Sequence, residues 1–238
     1  MAFAWIRSAF PTLYWRARNA LALGEFYAGR ARRRMRGTET YDDAFWDFHD
    51  VGDWEGFARA AIDVVHPTSV VDVGCGHGLA LQGFARVDPT LRLQGFDDSD
   101  AALARARTRG VPVDRLDLVA LSRRDAAVLA RELASFDLVV CLEVAEHLPP
   151  WHSDKLLTVI TAGTRLIFSA AHPLQGGRLH VNEQPAAYRI ERLAARGFDL
   201  SAEDNGFRRR VAAPRSAVLS TARMFTCSNG RPACSVRL

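Results

Sequence analysis

Two carboxylates and an imidazole stand close together in Glu143-Val144-Ala145-Glu146-His147-Leu148-Pro149-Pro150. Residues three and four apart share a helical face, so on a helix Glu143, Glu146 and His147 converge on one spot. Oxygen and imidazole donors suit a divalent cation that keeps open positions. Glu146 or His147 could instead take a proton from an attacking hydroxyl. His180, a second imidazole, follows Gly176 and Gly177, a turn able to fold it back over the same place. A metal-free reading stays open, in which the acid and imidazole cap a helix or bind each other.

The other chemical feature is Val70-Val71-Asp72-Val73-Gly74-Cys75-Gly76-His77-Gly78, where β-branched residues run into a glycine-spaced turn and then into Leu79-Ala80-Leu81-Gln82-Gly83-Phe84-Ala85. A buried strand, a tight turn and a helix start follow in that order. Glycine leaves bare backbone for a ligand to approach, and the helix start offers unpaired N–H groups. The spacing Asp-x-Gly-x-Gly-x-Gly differs from the Gly-x-Gly-x-x-Gly of pyrophosphate binders. About twenty residues on, the strand Leu91 to Phe96 ends in Asp97 and Asp98. An acid there hydrogen-bonds a ribose diol at the carboxyl edge of a doubly wound sheet; Asp97 is assigned that role and Asp98 stands second. Asp72 is read from its place as a helix or loop hydrogen-bond acceptor.

These sites need a parallel sheet to carry them. Further short strands read at Val113–Leu118, Phe136–Leu142 and Arg165–Ala170, with helix-length segments between successive strands. The order is βαβα, and the expected fold is α/β: a Rossmann-like, doubly wound, mostly parallel sheet with helices on both faces. A helix from about Trp54 to Val65 precedes the first strand, and Glu183 is placed to cap a later helix containing Tyr188. Arg208-Arg209-Arg210 before Pro214 reads as a loop, and Ser216 to Phe225 as one more strand or helix.

At 238 residues, 48% apolar and 24% charged, the chain can bury one substantial core and is not a disordered segment. Lys155 is the sole lysine, and the four cysteines show no metal-type spacing. No signal peptide or twenty-residue apolar run is seen, so the expected location is the cytoplasm, with reduced thiols. Charge is uneven. Between Met1 and Gly37, Arg7, Arg16, Arg18, Arg30, Arg32, Arg33, Arg34 and Arg36 face one acid, Glu25, with aromatics interleaved. This N-terminal helical extension is read as a lid over the cleft, a surface for anionic membrane or nucleic acid, or a solvated cap. The expected division is a basic extension at 1–37, a catalytic domain at 38–226 and a loose tail at 227–238.

With its acidic lead residue, the glycine loop resembles motif I of the class I S-adenosylmethionine (SAM)-dependent methyltransferases. The segments 69–76, 142–150, 168–171, 175–177 and 180–184 together resemble the bacterial methyltransferase-domain family of type 23 and type 11, over roughly Tyr41 to Leu200. That resemblance implies SAM as cofactor, held by Asp72, Gly74, Cys75, Gly76, Gly78, Asp97, Asp98 and Leu142, with Asp117 against the adenine. The Glu-x-x-Glu-His run is similar to that of ubiquinone-pathway O-methyltransferases and small-RNA 3′-terminal 2′-O-methyltransferases. From the latter it implies Glu143, Glu146, His147 and His180 as ligands to magnesium or manganese. His77 departs from the small hydroxyl residue common in the loop, and Pro185-Ala186-Ala187-Tyr188 from a more aromatic run, which leaves the acceptor open. The family analogy points to a hydroxyl of a sugar, glycan intermediate or specialised metabolite; RNA methylation and a non-catalytic SAM-binding scaffold remain alternatives.

Overall fold

A computed structural model of the chain describes residues 10–37, 41, 45–46, 52–211 and 221–228. His49, Cys234 and the tail beyond Ser228 lie outside the described residues. The sheet is built from β1 (Ser69–Val73), β2 (Arg92–Asp97), β3 (Val113–Arg115), β4 (Leu138–Leu142), β5 (Arg165–Ser169), β6 (Phe198–Leu200) and β7 (Arg223–Cys227), in the order β3-β2-β1-β4-β5-β7-β6. Strands β1 to β5 pair in parallel, while β7 runs antiparallel to both β5 and β6. The fold is therefore the expected doubly wound, mostly parallel α/β sheet.

Every residue of β1 is buried, which is why this strand reads as an unbroken apolar run with Asp72 as the exception. Val71 and Val73 belong to an apolar cluster with Val139, Cys141, Leu166 and Phe168 on one side of the sheet. Val70 joins Leu138, Val140 and Ile167 in a second cluster. That second cluster takes Phe57, Ala58 and Ala61 from α2 (Trp54–Val65) and Phe84 from α3 (Leu79–Val87). Asp53 caps α2 by accepting from Gly56 N, and His66 ends it in the left-handed region (φ 51°) ahead of Pro67. Ser99 and Ser122 cap α4 (Asp100–Thr108) and α5 (Arg123–Leu133) in the same manner. The helices α6 (Ser153–Ile160), α7 (Ala186–Ala194) and α8 (Asp204–Val211) complete the layers.

Three expectations are corrected. Residues Arg208 to Arg210 lie in α8 and not in a loop. Asp204 anchors that helix by accepting from Arg223 Nε (2.9 Å) and Met224 N (2.8 Å). Glu183 does not cap α7, whose start has Pro185 at the cap position and no side-chain cap bond. The third strand is also shorter than Val113–Leu118: its ladder with β2 closes at Asp97–Arg115, with Leu116 N donating the last bond to Asp97 O (2.8 Å).

The extension contains α1 (Pro11–Arg36), with proline in its first turn and Gly37 closing it at φ 67°. Only Phe26 of this helix is buried, and none of its residues joins the three apolar clusters of the sheet. Polar contacts hold it: Arg18 pairs with Glu183, Arg30 with Asp117 (2.5 Å), and Arg33 with Asp98 (2.9 Å). Trp151 Nε1 donates to Tyr27 Oη at 3.1 Å. No helix among the described residues is long and apolar enough to cross a membrane. Since α1 gives little to the core, deleting residues 1–36 is expected to leave a cooperatively folded chain. Circular dichroism melting and calorimetry check this; a chain that loses its melting transition makes α1 part of the core.

Candidate active site

A cleft of about 880 Å³ opens at the carboxyl ends of β1, β2 and β4, lined by Asp72, Gly74, Cys75, Gly76, Asp97, Asp98, Asp117 and Leu142 among others. The loop after β1 is fixed by its own backbone: Gly74 N and Cys75 N both donate to Phe96 O, at 2.7 and 3.0 Å. Gly74, Gly76 and Gly78 all take positive φ (83°, 51° and 81°). Gly78 packs from below against Val111 and Ala106 and so serves the turn. At Gly76 an added Cβ would lie 2.8 Å from the Trp46 ring, so bare backbone faces the cleft there.

Asp97 holds the loop from the next strand. Its Oδ2 accepts from Gly76 N and its Oδ1 from Ser99 N, both at 2.9 Å. Burial pushes its carboxyl above the ordinary range, against the pull of those N–H groups. Asp72 has no such relief: burial, with the Asp97 charge added, raises it to about 8. Asp98 rises to about 6 through burial and the Asp117 charge, despite Arg33, Arg115 and Arg30. Burial also acts on Asp117, but Arg30 and the N–H groups of Ala120 and Val119 outweigh it and keep that carboxyl low.

The acid and imidazole segment is positioned differently from its helical reading. Glu143 ends β4 with φ 54°, and its N–H donates to Ser169 O at 3.1 Å. Ala145–His147 then forms a single 3₁₀ turn, so the three-residue spacing reflects a tight turn instead of an α-helical face. Glu146 is fully buried, and both of its carboxylate oxygens lack a hydrogen-bond partner among the described residues. Its backbone O accepts from Val181 N (2.8 Å) and Asn182 N (2.9 Å), which brings the His180 loop onto the turn.

As a result Glu146, His147 and His180 each offer a ligand atom, and these atoms lie within 4.8 Å of one another. The two rings meet edge to face with centroids 4.9 Å apart. Glu143 stands beside this group of three, its Oε2 accepting from Gln175 Nε2 at 3.2 Å. Burial and then the Glu146 charge raise Glu143 to about 7; burial raises Glu146 as well and lowers His180.

Three contacts in the cleft were not foreseen from sequence. Tyr41 Oη lies 3.0 Å from His147 Nδ1. Trp46 covers Gly76 and donates to Tyr41 O (3.2 Å) and Ser99 Oγ (3.3 Å). Glu183, expected as a cap, accepts from Leu174 N (2.9 Å), Gly176 N (2.9 Å) and His180 Nδ1 (3.1 Å). Three residues separate His180 from Glu183, and that short spacing was the available signal.

The raised acids have a consequence for stability. Asp72 (to about 8) and Glu143 (to about 7) keep protons in the fold that the unfolded chain has released above about 4. The unfolded state binds fewer protons, so stability falls as pH rises from about 4 to about 8. The lowered His180 works the other way, but its contribution is complete above its unfolded value of about 6.5. Between pH 6.5 and 8.5 the melting temperature of the ligand-free protein is thus expected to decline. A flat profile in differential scanning calorimetry would mean that these acids are already ionised in the fold.

The profile of a methyltransferase domain matches residues 71–162, which span the glycine loop, Asp97, Asp117, β4 and the 3₁₀ turn. This segment is a class I SAM-dependent methyltransferase domain. The chain is similar to the ubiquinone biosynthesis O-methyltransferase of Ralstonia nicotianae, at 37% identity over 43% of this chain and 43% of that protein. The protein of the same name from Alkalilimnicola ehrlichii is 33% identical over 53% and 47%. The chain thus spans about half the length, or less, of these relatives. Among solved structures, the methyltransferase domain of bacterial-CtHen1-CN superposes with a TM-score of 0.51 at 18% identity, over 72% of this chain and 96% of that one. The plantazolicin methyltransferase BpumL in complex with SAH gives 0.53 at 13% identity, over 89% and 95%. These two likenesses bear on the fold alone. The acids at the ends of β1 and β2, the glycine loop, His147 and His180 all line one cleft, and Glu146 is buried beside the two imidazoles.

Proposed function

We propose that this chain transfers the methyl group of SAM to a hydroxyl oxygen of a small molecule, with a divalent ion, magnesium or manganese, held by Glu146, His147 and His180 next to Glu143. The observation that carries the ion is the Glu146 carboxylate, fully buried, without a hydrogen-bond partner among the described residues, and with a ligand atom within 4.8 Å of those of two imidazoles. Buried charges of that kind are normally paired or coordinate metals. Each ring is oriented by an outer partner at its Nδ1, Tyr41 Oη for His147 and Glu183 Oε1 for His180. The hydroxyl as acceptor is supported by the likeness to the ubiquinone biosynthesis O-methyltransferases of Ralstonia nicotianae and Alkalilimnicola ehrlichii.

When bound, the ion would draw the acceptor hydroxyl close and lower its pKa. SAM brings a methyl on a sulfonium, an electrophile that needs little activation beyond alignment. The chain's own residues then have limited tasks. Gly74, Gly76 and Asp97 fix the cofactor end and the Trp46 ring covers the loop, while His147 or His180 would take the hydroxyl proton at a ring nitrogen only where no ion occupies the group. A reading as an RNA-modifying enzyme rests on the basic extension, yet Arg18, Arg30 and Arg33 are engaged by acids of the domain itself. Arg16, Arg32, Arg34 and Arg36 are the ones left exposed on α1.

The test is methyl transfer from labelled SAM into fractionated hydroxylated metabolites and into RNA, with magnesium, with manganese and with chelator. Label in a small-molecule hydroxyl that depends on the metal supports the reading. Label in RNA alone, or none in any fraction from a protein that binds SAM, overturns it.

A further inference from the structure

His180 is built into its loop from every side. A Cβ at Gly177 would overlap its ring, so the second glycine of the turn makes room for the imidazole. Gly176 stands at φ 79° and turns its N–H onto Glu183 Oε1. The Glu183 carboxylate is fully buried and gathers Leu174 N, Gly176 N and His180 Nδ1. A carboxylate can only accept, so the Nδ1 of His180 carries the hydrogen and its Nε2 keeps the lone pair that ligation or proton transfer needs.

The cation that balances this buried carboxylate comes from a distant part of the chain. Arg18 on α1 forms an ion pair with Glu183 Oε1. With Leu174 N, Gly176 N and His180 Nδ1 on its oxygens, Glu183 is locked in one place, and Arg18 closes the set from outside the loop. The same helix places Phe26, Arg30 and Arg33 over the cofactor end of the cleft. One rigid element therefore reaches both ends of the site.

We propose that Arg18 and Glu183 are positioning residues for His180: Arg18, delivered by α1, holds the Glu183 carboxylate in place, and Glu183 fixes the tautomer and the aim of the imidazole. This rests on the methyl-transfer reading only for its kinetic consequence. Removing such an outer partner of a ligand costs roughly ten- to a hundredfold in metal affinity or activity.

The experiment is ¹⁵N–¹H correlation of the imidazole of His180 in the full chain without added metal, for the native protein, Arg18→Ala, Arg18→Lys and Glu183→Gln. The native ring is expected as a single Nδ1–H form. Arg18→Ala and Glu183→Gln should give a mixture of forms, and Arg18→Lys should return most of the native pattern. In parallel, Arg18→Ala should lower kcat by roughly tenfold or more with SAM Kd within a few fold, and Arg18→Lys should recover most of it. Should Glu183→Gln fail to fold, the two Arg18 variants decide the matter. An Nε2–H ring in the native protein, or the same tautomer in all four proteins, overturns the proposal. A native protein that shows the tautomer pattern but no SAM binding by calorimetry upholds the positioning and rejects methyl transfer.

Discussion

Gly76→Val is expected to remove SAM binding, with affinity falling beyond the range of calorimetry, while the domain stays folded. Gly76 holds φ 51°, and a side chain there would meet the Trp46 ring at 2.8 Å. The left-handed region alone costs an L-residue roughly 1–2 kcal/mol, with β-branched residues worst placed. The damage falls on the ligand edge, whereas Val71 and Val73 stay packed in the core behind it. Asp97→Ala should act at the same place by another route. It removes the acceptor of both Gly76 N and Ser99 N, and each N–H left unsatisfied costs about 1–3 kcal/mol if water cannot replace the bond. Unchanged SAM affinity in both variants would sink the assignment of this cleft to the cofactor.

Glu146→Ala and His147→Ala should separate chemistry from cofactor binding. Both residues sit on the 3₁₀ turn after β4, and Glu146 makes no hydrogen bond to the glycine loop through its side chain. Activity is expected to drop by roughly a hundredfold or more, as for loss of an interaction made in the transition state, while SAM Kd stays within a few fold. Excess EDTA should do the same to the native protein. Full activity in EDTA would reject the metal and leave a histidine as proton acceptor. The rate would then rise with pH through an inflection at or below ~6.5, because burial and the neighbouring His147 both lower His180.

Much of the parallel half of this fold could be read from residue order alone. The strands β1, β4 and β5 are short, mostly apolar runs because helices cover both faces, and α2 starts and stops where its apolar spacing does. The antiparallel end was harder. β6 is three residues long, and the polar composition of α8 hides a helix held by Asp204 and Phe207. In the site, the glycine loop and its partner acids were legible because a ligand approaching backbone demands them. The geometry of the Glu146 turn was not, since α-helix and 3₁₀ turn share the three-residue spacing. Tyr41 against His147, Trp46 over Gly76 and Arg18 on Glu183 join segments far apart in sequence. No local pattern encodes such pairs.

The way α1 is attached carries a last consequence, for ionic strength. Its ion pairs to Asp98 and Asp117 involve side chains that are partly exposed, with Arg30 at 29% and Asp98 at 32%. Pairs in that setting are worth about 0–1 kcal/mol each, so a helix that buries one aromatic residue is held close to balance. Raising salt from about 0.1 M to about 1 M shortens the screening length from roughly 10 Å to about 3 Å and weakens those contacts. The glycine loop, fixed by backbone hydrogen bonds to Phe96 and Asp97, is indifferent to that change. Salt should therefore hasten the entry and departure of cofactor without altering the pocket that recognises it, which makes turnover limited by product release rise with ionic strength before it falls.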